Sequence, residues 1–206
     1  MLNSATVLKY LDNAKLEYYA SDYAKSSFLQ QLRELCEKDI RETIVKNSGG
    51  TSMIKRYKSA LKYIGTKDML ARPALCGTWI ETFRGKECQT LCNGFTAVFL
   101  WNKIDGVPMV DHALDTIKVA KIITDRNDAE YQEVSVDLVE IKAVAKTVKS
   151  GARLAIGEQE FNPNAILDIV NMLGDNITFY QHQNGLLTHM YLENENGVGI
   201  VLPLRK

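Results

Sequence analysis

Apolar residues in the first 50 positions recur at helical spacing, with Val7, Leu8, Leu11 and Ala14 on one stripe and Phe28, Leu32, Leu35 and Cys36 on another. The pattern predicts two helices, the second capped by Ser21 or Asp22, and the run Asn47-Ser48-Gly49-Gly50 stops it and loosens the chain. Past that joint Met53, Tyr57, Ala60, Leu61 and Ile64 define one face of a short helix ending near Gly65. The expected organisation is a helical extension over residues 1–50 and a main domain over 51–206.

The periodicity then changes from helical to alternating. Ala74 to Phe83, Glu87 to Cys92 and Phe95 to Trp101 read as strands, joined by turns at Arg84-Gly85 and Asn93-Gly94. The plan recurs near the end. A helix from Asn164 to Leu173 has Asn162 as its cap, Pro163 at its first position and Gly174 past its last. It is followed by strands at Ile177 to Gln181, Leu186 to Glu193 and Val198 to Leu204, with turns at Asn184-Gly185 and Asn196-Gly197. Between the repeats, Ile117 to Thr124, Tyr131 to Val136 and Arg153 to Ile156 are expected as strands. A helix is expected from Leu138 to Lys149, opened by Asp137 and Glu140 with Leu138, Ile141, Ala145 and Val148 inward. Helix plus three strands, twice, gives an α+β fold with antiparallel sheets.

The chain has 206 residues, and its 25 Lys and Arg balance 25 Asp and Glu, so attraction to nucleic acid requires clustered rather than net charge. No segment approaches the ~20 apolar residues of a membrane span and no export signal opens the chain, so the expectation is a cytoplasmic protein with no membrane partner. In that setting Cys36, Cys76, Cys88 and Cys92 read as reduced, mostly buried thiols.

Three segments resemble the bacterial DNA polymerase sliding clamp family: Phe161 to Leu173, the ending Val201-Leu202-Pro203-Leu204-Arg205, and Arg72-Pro73-Ala74-Leu75 leading into Gly77 to Glu81. The resemblance runs from about Met53 to Lys206, and it implies one clamp-like domain built from two helix plus three-strand units. Clamps bind DNA and partner peptides without catalysis. The resemblance therefore implies a DNA-associated scaffold or processivity-type factor, with double-stranded DNA, replication proteins bearing short linear motifs, and further copies of the chain as partners. It places Lys55, Arg56, Lys58 and Lys62 on a helix facing phosphates, and Lys142 and Lys146 form a second basic cluster with Lys149 and Arg153. It also places Gly94, Phe95, Leu202, Pro203, Leu204 and Arg205 around an apolar partner pocket.

Each assignment has a plainer counterpart. A lysine stripe opposite an apolar one also describes a solvated helix face, and Leu202 and Leu204 could alternate into the core. The second repeat helix offers Asn164, Asp168 and Asn171 instead of lysines, which suits a clamp-fold interaction module that binds no DNA. A metal-dependent enzyme would have to rest on Cys76, Cys88, Cys92, His182 and His189, whose spacing fits zinc poorly. No nucleophile elbow, phosphate loop or triad context is present, so no catalytic residue, metal site or cofactor is expected. Tyr10, Tyr18, Tyr19 and Tyr23 could stack on nucleic-acid bases or seam the first helices together.

Overall fold

The computed structural model describes residues 52–63, 77–110, 119–123, 125–147, 151–183 and 189–204, with isolated positions at 7, 31–32, 35–36, 38–39 and 42–43. The isolated positions are all helical, and Cys36 is buried. The remaining residues of the two N-terminal stripes, the four tyrosines, the Asn47 to Gly50 joint, Arg72 to Cys76, Asn184-Gly185 and Arg205 lie outside the described residues. The chain divides into two compact units, Met1–Ile54 and Lys55–Lys206. The second unit holds both predicted meanders.

Helix α1 spans 52–61. Strands β1 (Trp79–Phe83), β2 (Lys86–Cys92) and β3 (Thr96–Leu100) form a meander, and after intervening elements helix α4 (Pro163–Leu173) leads into β7 (Thr178–His182), β8 (Met190–Asn194) and β9 (Gly197–Val201). All seven strands of the main sheet run antiparallel in the order β1-β2-β3-β9-β8-β7-β4, where β4 is Tyr131–Val134. The two meanders therefore meet at the β3–β9 ladder, in which Val98 opposes Gly199 and Leu100 opposes Gly197. The two meanders thus lie side by side in one sheet, joined antiparallel, with β4 added at the β7 edge.

Each turn is set by local chemistry. Arg84 and Gly85 both adopt positive φ (51° and 71°), the conformation whose twist matches a two-residue hairpin. At the next turn Asn93 Oδ1 accepts from the amides of Phe95 and Thr96 at 3.0 and 2.9 Å. That bonding starts β3 one residue later than alternation predicts and leaves Phe95 in the turn, 72% exposed. The last hairpin also differs from expectation by one residue, since Gly197 already pairs with Asn194 and the loop is Glu195-Asn196. The side-chain amides of Asn194 and Asn196 are used elsewhere: their Nδ2 groups donate to the Leu173 carbonyl at 3.0 and 2.8 Å.

Those bonds complete the C-terminus of α4, whose last carbonyls need partners. Gly174 N–H donates to the Val170 carbonyl at 2.8 Å and Arg56 Nε to that of Met172 at 2.8 Å. At the other end Asn162 Oδ1 accepts from Asn164 N at 2.9 Å, with Pro163 in the first turn. Asn162→Ala is expected to cost about 1 kcal/mol, a drop in Tm of roughly 2–4 °C in a chain of this size; thermal unfolding followed by circular dichroism checks it.

The sheet is apolar on both faces. On one, the fully buried Ile166, Ile169, Met172 and Leu173 of α4 press on β3, β8 and β9, and a Cβ on Gly199 would lie 2.2 Å from Ile169 Cγ2. The alternate residues Phe99, Ala97, Tyr191, Val198 and Ile200 form a second cluster on the opposite face with Trp79, Phe83 and Tyr131, and Phe83 stacks on Phe99 with centroids 4.0 Å apart. Part of the β3–β4 connection joins this second cluster through helix α2 (Val119–Ile122).

Helix α2 corrects the expectation of a strand over Ile117 to Thr124. Ile123 N–H bonds to the Val119 carbonyl at 2.9 Å, closing one helical turn. Val119, Ile122 and Ile123 stand at i, i+3 and i+4, a spacing that serves a helix face as well as a β-branched run serves a strand. Tertiary burial decides, because Val119 and Ile123 pack against the aromatic cluster. The remaining central elements are helix α3 (Leu138–Thr147) and the hairpin β5 (Leu154–Ile156) and β6 (Gln159–Phe161), whose second strand alternation did not reveal. In α3 Asp137 Oδ1 caps Val139 N at 2.7 Å and Ile141 is buried, whereas Leu138 and Ala145 are half-buried.

Candidate partner groove and basic helices

Where β2, β3 and β9 end beneath α2, the sheet leaves a groove of about 370 Å³. Its floor is Cys92, Ala97 and Ile200 from the sheet, one wall is Val119, Ile122 and Ile123, and the mouth is formed by Gly94, Phe95 and Leu202, with His189 also in the lining. Phe95 and Ile122 are each 72% exposed and Leu202 is 45% exposed. Three large apolar side chains at one opening make a patch that water solvates poorly, the ordinary signature of a docking site.

Hydrogen bonds tie together the elements that line the groove. The Leu202 amide donates to the Phe95 carbonyl at 3.0 Å, which ties the chain end to the β2–β3 turn. Helix α2 is fastened by Glu81, one carboxylate oxygen accepting from the Ala120 amide at 3.1 Å and the other from Trp79 Nε1 at 3.1 Å.

Three of the six sequence-derived partner residues, Gly94, Phe95 and Leu202, thus come together. Pro203 and Leu204 are half-buried and off the groove lining, the Leu204 amide donating to the Glu160 carbonyl at 2.7 Å, and Arg205 lies outside the described residues. Sequence reasoning missed Cys92, His189 and all of α2. The signal for α2 was present in the i, i+3, i+4 spacing; nothing in the sequence placed His189 in the same groove.

The thiols of Cys88 and Cys92 are pushed above their ordinary range chiefly by burial, so neither is an activated nucleophile. Burial likewise pushes His189 down, and its Nε2 lies 2.8 Å from the Tyr191 hydroxyl. Among the described residues no group of three or more His, Cys, Asp or Glu converges as a metal site would need.

On the helical side α1 lies beside α4, bonded through Arg56 to Met172 and through Ser59 Oγ (3.5 Å) and Lys62 Nζ (2.5 Å) to Asp168 Oδ1. The four basic residues of this segment therefore divide. Arg56 is half-buried, donating to the carbonyls of Met172 and of Asn102 (3.0 Å), where a cation also suits the helix C-terminus. Lys62 is paired, while Lys55 and Lys58 are exposed. Lys142 and Lys146 are exposed on α3, which packs against α4, and α4 itself carries no basic residue.

No protein-family profile matches this chain, and no curated protein matches it by sequence. By structure it is similar to a beta sliding clamp from C. crescentus, solved with polyethylene glycol at a region proposed for beta-motif tethering, with a TM-score of 0.52 and 11% identity over 76% of this chain. A DNA polymerase sliding clamp from Bacillus subtilis is similar at TM-score 0.49 and 11% identity over 75% of this chain. The match spans only 64% and 63% of those proteins. At such identity the likeness shows the fold alone, an α+β fold with a large antiparallel sheet similar to that of a sliding clamp.

Proposed function

We propose that this chain is a non-enzymatic clamp-like scaffold that captures a short apolar peptide of a replication protein in the groove beneath α2 and holds duplex DNA by its phosphates. The observation carrying this reading is the groove itself, with exposed Phe95, Ile122 and Leu202 at its opening. A peptide inserting two bulky side chains there removes apolar surface from water on both partners. For DNA the candidate contacts are the exposed Lys55, Lys58, Lys142 and Lys146. Phosphate contacts of this kind position a duplex without reading its sequence.

A second reading, an interaction module that binds no DNA, is favoured by one specific feature: α4 presents Asn164, Asp168 and Asn171 in place of cations, and Asp168 already neutralises Lys62. One experiment tests both. If Lys55, Lys58, Lys142 and Lys146 contact phosphates, affinity for a 20-base-pair duplex falls about a hundredfold between 50 and 200 mM salt, and reversing these four to Glu abolishes binding. Absence of salt-sensitive duplex binding selects the second reading. The groove is tested separately by Leu202→Asp, expected to weaken binding of the uncharged probe acetyl-Leu-Leu-Phe-amide by about tenfold or more, measured by calorimetry. Any further copies in the assembly are read by sedimentation with and without duplex.

A further inference from the structure

One wall of the groove carries a titratable ring among apolar side chains. His189 immediately precedes β8, and its centroid lies 4.9 Å from the Tyr191 ring and 6.3 Å from the Tyr131 ring. Its Nε2 is 2.8 Å from the Tyr191 hydroxyl, and the residues that line the groove with it include Cys92, Val119, Ile122, Ile123 and Ile200. Resting on the reading of the groove as a peptide site, we propose that His189 makes docking depend on proton concentration: the groove accepts an apolar side chain while the imidazole is neutral and releases it when the ring is protonated.

Solvation is the physical cause. A neutral imidazole tolerates apolar contact, whereas imidazolium must keep water or a counter-charge near it, and an inserted Leu or Phe side chain removes that water. Among the described residues, the groups that line the groove with His189 or pack on its ring do not supply the counter-charge. Tyr191 on β8 and Tyr131 on β4 are phenols, the first with its ionisation pushed up chiefly by burial, and Cys92 on β2 is a thiol also pushed up. Helix α2 contributes one ionisable residue, Lys121, which is exposed and of the same sign as imidazolium. The segment 184–188 before His189 contains no ionisable residue. Acids occur among the partners of these groups. Glu81, whose charge acts on Cys92, accepts from the Ala120 amide and from Trp79 Nε1. Asp125 and Glu193 act on Tyr191 but are bound to Arg84, and Glu130 lies 3.9 Å from His182, which packs on the far partner ring Tyr131.

Linkage sets the sign. Burial already holds the free ring below its ordinary 6.5, and an occupant would bury it further, so docking expels a proton from whatever fraction is charged. Affinity is then constant well above that value and declines as pH falls through the free ring's titration.

Acetyl-Leu-Leu-Phe-amide has no titrating group, so the protein alone sets any pH effect on its binding. Calorimetric titrations of the full chain from pH 7.5 to 4.5 are expected to show binding that weakens as the free ring titrates, by up to about tenfold for each unit by which the occupant lowers that titration. His189→Gln is expected to remove the slope. In parallel, the His189 ring carbon and proton signals of the wild-type chain, followed by NMR, are expected to titrate at lower pH with saturating peptide than without it. That measurement decides the matter even if the variant fails to fold. A pH-independent affinity, a slope that persists in the variant, or an unchanged ring titration overturns the gate while leaving the groove intact. Failure of the peptide to bind at pH 7.5 overturns the groove reading and the gate with it.

Discussion

Gly197→Ala is expected to lower stability by about 3 kcal/mol, the upper end for overpacking, or roughly 6–12 °C in Tm. The position lies in the ladder that joins the two meanders, opposite Leu100 on β3 and Asn194 on β8. A methyl group there would sit 2.2 Å from the Phe99 carbonyl oxygen, 3.2 Å from Leu100 Cα and 3.2 Å from Leu173 Cδ2. The first two obstacles are backbone, so no rotamer change relieves them. The strands must part or α4 must lift, and either movement disturbs fully buried side chains. Gly199→Ala provides the internal comparison. Its obstacle is the Ile169 side chain at 2.2 Å, stiff at χ1 in a helix and obliged to move by about 1 Å, but it is a side chain and not backbone, so a smaller loss of about 2 kcal/mol is expected. Thermal and denaturant unfolding of both variants ranks them. Equal stability of Gly197→Ala and wild type would mean that β9 does not pair with β3 in the register described, and the two halves would lose their common sheet.

This join was legible in the sequence only as a repeat. Turn residues and alternation identified each meander, and the caps Asn162 and Gly174 identified α4, because those signals act within a few residues. The edge by which β3 meets β9 is set by contacts about 100 residues apart, and Gly197 and Gly199 became interpretable only once α4 was seen pressing on β9. The groove was half legible for the same reason. Phe95 and Leu202 announce themselves as apolar residues at a turn and a chain end, but their meeting depends on the Leu202–Phe95 backbone bond. The wall opposite them is a four-residue helix whose β-branched sequence favours a strand until the aromatic face of the sheet claims it. Arg56 shows the converse, a cation whose spacing suits a phosphate contact but whose guanidinium is taken by the carbonyls of Met172 and Asn102.

Glu193→Ala is expected to destabilise the fold by about 2–4 kcal/mol at pH 7. Glu193 on β8 accepts from Arg84 Nη2 at 2.8 Å and Nη1 at 3.0 Å, and from Arg126 Nε at 2.8 Å. Its side chain is 13% exposed and that of Arg126 15%, and Arg126 Cζ lies 3.8 Å over the Tyr180 ring. One carboxylate thus ties the β1–β2 turn, the loop before β4 and the β8 strand over the aromatic face. Without it two guanidinium groups face each other with little water to screen them. Arg84 keeps Asp125 at 2.6 Å and Arg126 keeps Asp128, both more exposed acids, which holds the loss below the roughly 5 kcal/mol that a fully buried orphan charge can cost. Glu193→Gln retains an acceptor but no charge, and about 1–2 kcal/mol is expected. The pH dependence separates electrostatics from packing. Burial by itself would raise the Glu193 carboxyl, but the Arg84 and Arg126 hydrogen bonds outweigh it and hold the group below its ordinary 4.5. A carboxyl whose native titration is depressed contributes fully above the unfolded value and loses that contribution as pH falls through the native one. Plotted from pH 7 to pH 3, the Tm difference between wild type and Glu193→Ala is therefore expected to stay constant down to about pH 5 and to shrink below it. A difference that stayed the same at pH 3 would assign the effect to lost side-chain packing and remove Glu193 as the electrostatic tie.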